Sequence, residues 1–179
     1  MPHPMETLQI EHKRIRRLLD LLEEQAVVIE EAGEPDYELI KEILDYFLIY
    51  PDLCHHPREN LVLEKLRARA PDAAREVGAL DAEHEGLSRQ FHDFSHAVMN
   101  LMLEVEVPRE ALVRLARAFV DDERRHMEEE ERVFFPAALR HLTDEDWDDI
   151  GTRSTLFKDP LSPTQSGIRF PELRRIMAL

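Results

Sequence analysis

The sequence predicts an all-α protein: an antiparallel up-down-up-down four-helix bundle with a short C-terminal helical extension. Three observations carry this. Apolar residues recur in alternating steps of three and four along four long segments. The breaks between segments are short and hold turn-forming residues, as in Ala32-Gly33-Glu34-Pro35. Finally, 179 residues with 43% hydrophobic side chains suffice for one domain with a sizeable core, while 5 Gly and 11 Pro leave too few turns for a sandwich or barrel.

The first seam is Leu8, His12, Ile15, Leu19 and Leu22, on a helix expected over 4–31 and stopped by the Gly33–Pro35 breaker. His3 falls in a terminus expected to fray. The second helix follows Pro35 with Ile40, Leu44, Phe47 and Leu48, resumes at Glu59, Val62 and Leu66, and ends near Ala70. Pro51 and Pro57 inside it predict a kink or short break. Pro71-Asp72 opens the next segment. The third seam is the cleanest: Val77, Leu80, His84, Leu87, Phe91, Phe94, Val98 and Leu101, on a helix ending near Glu106. Pro108 suits the first turn of the fourth helix. Its seam of Leu112, Leu115, Phe119, His126, Glu130, Val133 and Ala137 runs to about His141. Thr143 and Asp146 read as a reciprocal cap opening a short helix through Trp147 and Ile150. Residues 158–167 read as a loop and 170–177 as a last short helix laid on the bundle. The bundle thus spans 1–142 and the extension 143–179.

Thirty-eight acidic against 23 basic side chains leave a net charge of −15, which repels nucleic-acid phosphates and anionic lipid. A single cysteine excludes an internal disulfide and any cysteine-built zinc or iron–sulfur site within one chain. No apolar run approaches the roughly 20 residues that cross a bilayer, and the N-terminus lacks a signal-peptide profile. The expectation is a soluble cytoplasmic protein with no nucleic-acid or membrane partner. Isolated glycines rule out a phosphate loop, and no Ser or Cys has a readable base, so nucleophilic catalysis has no support.

Each of the four seams carries a histidine in an apolar position: His12, His55, His84 and His126. One such histidine is ordinarily a core residue hydrogen-bonded to a neighbour. Four would repeat a desolvation penalty with no gain. Two have Glu at i+4, His55 with Glu59 and His126 with Glu130, on the same helix face one turn apart. Two carboxylates from facing helices can bridge two metal ions while imidazoles complete the ends. That donor set suits iron, manganese or zinc rather than calcium or magnesium.

Seven carboxylates lie in the eleven residues 121–131, and most form a solvated face. Glu130 is the principal inward one, with Glu123 one turn earlier and Glu131 the next choice if the helix is bulged. Cys54 reads as a small buried residue. His92, His96 and His141 fall off their seams and are expected at the surface. His56 should face away from His55, unless a distortion at Pro57 exchanges their roles.

One His per helix, with H-x-x-x-E on the second and fourth, resembles the hemerythrin-type HHE cation-binding domain. The stretches YPDLCHHPRE at 50–59 and HMEEEERVFFP at 126–136 are similar to its bacterial single-domain members. The resemblance covers about residues 5–141. It implies an antiparallel bundle holding two iron ions, oxo- or hydroxo-bridged, with Glu59 and Glu130 bridging and His12, His55, His84 and His126 as terminal ligands. Oxygen carriers of this type place a second His four residues after the third-helix one, where this chain has Ser88. Their fourth-helix bridge is an Asp at i+5, where it has Glu131. The pattern is therefore closer to the iron-sensing F-box hemerythrin-like domain and to bacterial iron–sulfur cluster repair proteins, and points away from reversible oxygen transport.

The expected function is a non-haem di-iron protein that binds or senses O2 or NO, or serves iron homeostasis or iron-centre repair. The pattern leaves open whether it is an enzyme, with a non-enzymatic role favoured. A homodimer is compatible with the pattern, and a sensor would need a separate protein partner. A ferritin-like di-iron oxidase is the alternative. It is carried by one Glu-x-x-His motif, Glu123 to His126, with Asp52 and Asp81 at the matching places before His55 and His84. A metal-free helical interaction module is the third reading.

Overall fold

The computed structural model describes residues 3–157, 159–161 and 170–177, and every regular element among them is helical. Helix α1, Pro4–Glu30, starts from a capping box at His3, in place of the loose terminus expected from the sequence. The His3 Nδ1 accepts from the Met5 amide, Glu6 accepts from the His3 amide, and the His3 ring packs on Trp147. The helix stops where Ala32 adopts φ +61° and Gly33 turns its amide back to the Val28 carbonyl.

The second segment is one path in three pieces. These are α2, Tyr37–Phe47, capped by Asp36, then a π-helical turn, Pro51–His55, then α3, His56–Arg69. The fourth segment is built alike from α6, Arg109–Glu129, a π-helical turn, Glu130–Phe134, and α7, Phe135–His141. Each π turn ends two residues before a proline, Pro57 or Pro136. Proline lacks an amide hydrogen and its ring crowds the carbonyl four residues back, so the wider turn relieves both faults.

Residues 71–77 separate from the third segment as a short helix, α4, Pro71–Val77. Gly78, at φ +86° and ψ −150°, breaks the path in a conformation that side-chain-bearing residues avoid. The long helix α5 then spans Leu80–Met102. It ends about one turn before the expected Glu106, because Glu104 turns left-handed at φ +61°. Pro108 sits just ahead of α6 rather than in its first turn.

Contacts fix the directions. Glu131 meets His12 and Arg16, Arg124 meets Asp20 and Glu23, and Arg117 meets Glu30, so α1 and the fourth segment run antiparallel. Glu83 to His126 and Gln90 to Asp122 oppose the third and fourth segments in the same way. Phe47 on Phe91 and His56 on His84 do so for the second and third.

Helix α8, Asp144–Arg153, opens on the expected Thr143–Asp146 capping box. The Arg69 guanidinium, with help from Thr143, holds the Asp146 carboxyl down at about 2. Beyond it Asp159 meets Arg14 and Tyr46, and α9, Pro171–Ile176, packs on α2, where Glu42 accepts from the Glu172 and Leu173 amides. Of the loop expected over 158–167, only 159–161 lie within the described residues. The core has two apolar clusters. One is centred on Ile15, Tyr46, Phe94 and Phe119, the other on Leu8, Val62, Phe134 and Trp147. The seam histidines lie between them.

Candidate metal centre

The four seams bring His12, His55, Glu59, His84, His126 and Glu130 to one layer of the bundle. All six are buried, with Glu59 and His12 at 0% and Glu130 at 1% exposure. The Nε2 atoms face the two carboxylates. His12 lies 3.3 Å from Glu130 and 3.7 Å from Glu59, and His55 lies 3.2 Å from Glu59. His126 lies 3.1 Å from Glu130, and His84 is 3.5 Å from Glu59 and 3.7 Å from Glu130. These are charge-pairing distances, yet the directions miss hydrogen-bond geometry. Both oxygens of Glu59 and of Glu130, and Nε2 of His12, His84 and His126, have no hydrogen-bond partner.

The opposite ring nitrogens are held from outside. His12 Nδ1 pairs with Glu131 at 2.9 Å, His55 Nδ1 with Glu11 at 3.0 Å, and His126 Nδ1 with Glu83 at 3.0 Å. An Nδ1–H donated to a carboxylate fixes the ring and leaves Nε2 aimed inward. Glu11 also pairs with buried Arg58, whose other face meets the Phe157 carbonyl and ring. Burial raises the Glu11 carboxyl, but His55 and Arg58 together keep it below the usual range.

Sequence reasoning missed Glu11 and Glu83 and weighed Glu131 only as an inward carboxylate, although each leaves a trace of its outer role. Glu11, Glu83 and Glu131 are each the immediate chain neighbour of a seam residue (His12, His84 and Glu130). A neighbour points about 100° off its seam, which on a bundle helix aims it at the next helix.

Electrostatics follow the same plan. Burial opposes charge on His12, but the nearby carboxylates of Glu130 and Glu59 outweigh it and lift the imidazole to about 10. His126 is lifted to about 9 against burial by Glu130. Burial pushes Glu130 up, yet His12, His126 and His84 hold it well below its usual range. Protons on His12 and His126 thus offset carboxylate charge in the layer.

Two alternatives left open by the sequence are answered by the geometry. The fourth segment does bulge, but its π turn starts at Glu130. Glu130 therefore keeps its α-helical step from His126 and the inward place, while Glu131 points outward to His12 Nδ1 and Arg16. His56 does not face away: its ring stacks on His84 with centroids 3.8 Å apart, and His55 keeps its inward place as well. Glu123 is buried, and desolvation raises its carboxyl above the usual range. Cys54 is buried, and His92, His96 and His141 are exposed. The side chains of Asp52 and Asp81 lie outside those described.

The donor set passes a direct test of fit for metal. Seven buried polar atoms without partners would be a heavy desolvation cost, and cations placed among them would satisfy the set. Ligand atoms of His12, His55, Glu59 and Glu130 lie within 4.8 Å of one another, as do those of His84, His126 and Glu130. Glu130 belongs to both groups, and Glu59 belongs to the first and to a third with His56 and His84, so the three overlapping groups share the two carboxylates.

A helical bundle with a buried, carboxylate-linked histidine layer defines a cation-binding helical domain. The sequence matches the family model of the hemerythrin HHE cation-binding domain over residues 3–146, and the chain belongs to that family. No curated protein and no solved structure matches it. Among the described residues, no helix is long and apolar enough to cross a membrane.

Proposed function

We propose that this protein is a non-haem di-iron protein that holds two iron ions between Glu59 and Glu130 and binds a small diatomic ligand, O2 or NO, in a sensing or iron-handling role. One observation carries the reading: four imidazole Nε2 atoms converge on two buried carboxylates that nothing else satisfies. Bound ferrous iron would supply an exchangeable coordination position for such a ligand.

The chain's own residues do the rest. Glu11, Glu83 and Glu131 orient three imidazoles from outside, and the apolar clusters above and below exclude bulk water. The two ends differ in access. The His12–His55 end is sealed at 0% and 3% exposure, whereas His84 and His126 reach 8% and 7% and border open clefts. Next to them a cavity of about 30 Å³ is lined by Phe91, Phe119, Ser88, His56 and Glu123. That volume holds a molecule the size of water or a diatomic gas. Ser88, one turn after His84, leaves that side of the centre free of a further imidazole from α5.

Elemental analysis after anaerobic loading with ferrous iron tests the proposal. Two irons per chain are expected, falling sharply in Glu59→Ala and Glu130→Ala. Less than half an equivalent of any transition metal would leave the metal-free helical module as the correct reading. Glu123, buried and facing the cavity three residues before His126, favours a second reading, a ferritin-like oxidase. Turnover of ferrous iron well beyond two per chain would select it.

A further inference from the structure

Beside four of the seam residues, a chain neighbour reaches across to another helix. Glu11 reaches His55, Glu83 reaches His126, and Glu131 reaches His12. The fourth member of this set is His56, beside His55, and it reaches His84. It differs in kind. The other three are carboxylates that accept from Nδ1 at the rim of the layer. His56 brings a fifth imidazole to the layer itself, and one of its ring nitrogens lies within 4.8 Å of ligand atoms of Glu59 and His84. On an ideal helix a residue adjacent to His55 would point about 100° away. The π-helical turn Pro51–His55 changes that register at the point where the two histidines meet.

We propose that His56 is a ligand of the metal centre, giving the second metal position a third nitrogen donor beside His84 and His126, with Glu59 and Glu130 shared. The inference rests on the di-metal reading above and deepens it. The two positions then differ in chemistry. The sealed one has two imidazoles, His12 and His55. The accessible one has three and is the better site for a borderline divalent ion of the iron-to-zinc series. The nitrogen that α5 does not provide at Ser88 is provided by α3 instead.

The stack itself sets the condition. The planes of His56 and His84 lie 13° from parallel with centroids 3.8 Å apart. A lone pair lies in its ring plane, so two parallel rings cannot both aim at one ion. One of them must turn as the ion enters. His56 is half-buried and lines the cavity of about 30 Å³, so it has space to turn. The competing role is a ring that only holds His84 in place by stacking.

The two roles separate in a pair of variants, His56→Phe and His56→Ala, measured with wild type in an anaerobic ferrous iron titration followed by elemental analysis. Phenylalanine keeps the stacking face and removes the donor. A ligand role gives two irons per chain in wild type and about one in both variants, the second iron weakened by about tenfold or more. The iron retained at the His12–His55 end reports that each variant is folded. Two irons in His56→Phe at wild-type affinity would overturn the proposal in favour of stacking. Loss of both irons in that variant would overturn it too, because the His12–His55 position does not use His56. Wild type binding less than half an equivalent overturns the di-iron reading itself, an outcome visible without either variant.

Discussion

Filling the centre should be a proton-exchange reaction, with a pH dependence set by two residues. A metal ion needs a deprotonated imidazole nitrogen. In the metal-free protein His12 is held at about 10 and His126 at about 9, so both carry a proton at pH 7. Loading must expel about two protons, and His55 is shifted in the same direction, upward against burial by Glu59 and Glu11. Measured from pH 7, proton competition costs about three powers of ten at His12 and two at His126. With two protons displaced, the overall loading constant should rise about a hundredfold per pH unit up to about pH 9. The metal-free fold responds the other way. Both pKa values lie above the ordinary 6.5, so their stabilisation is complete below that value and is lost as pH rises through about 9 and then 10. Competition titrations of zinc or ferrous ion against a chelator, at pH 6.5, 7.5 and 8.5, read the slope. Calorimetry in two buffers of different ionisation enthalpy counts the protons. Fewer than one proton released, or an affinity that ignores pH, would refute the account of how carboxylates and imidazoles balance in this layer.

Two further substitutions probe the support of the centre. Glu11→Gln removes the carboxylate that orients His55 and offsets buried Arg58. Iron affinity at the His12–His55 position should fall about 10- to 100-fold. Breaking the buried pair should also destabilise the fold by about 3–5 kcal/mol, seen in a thermal melt. Wild-type affinity in that variant would show that Glu11 does not orient the ring. Gly78→Ala meets no atom within 4 Å, so its cost is the backbone alone, at φ +86°. A loss of about 1–3 kcal/mol is expected, lowering Tm by about 2–4 °C per kcal/mol with iron stoichiometry unchanged. An unaltered Tm would mean that the chain re-forms the α4–α5 junction without strain.

Much of the fold was legible because helical periodicity is a local property. Steps of three and four reveal a buried face from a dozen neighbouring residues, so the four segments, the Gly33 breaker and the Thr143 cap could all be read directly. The inward placement of His12, His55, His84 and His126 was readable for the same reason, as was that of Glu59 and Glu130 at i+4. Local pattern failed where a backbone left the ideal helix. Gly78 divided one apparent seam into α4 and α5, and Glu104 ended α5 early.

Tertiary structure decided what depends on partners far apart in the chain. His12 meets Glu131 across 119 residues, and His55 meets Glu11 across 44. No periodicity ranks such pairs, because each depends on the relative rotation of two packed helices. The two π turns are the clearest case. Pro51 and Pro57 announced a distortion in the second segment but not its sense, and the one beside Pro136 in the fourth was not foreseen from its proline. In the fourth segment the turn left Glu130 inside and sent Glu131 to His12. In the second it brought His56 onto His84 while His55 stayed inside. Sequence alone therefore named the chemistry of the layer. That His56 also lies against the layer, on His84, depends on how the second and third segments pack around the Pro51–His55 turn, which no local periodicity specifies.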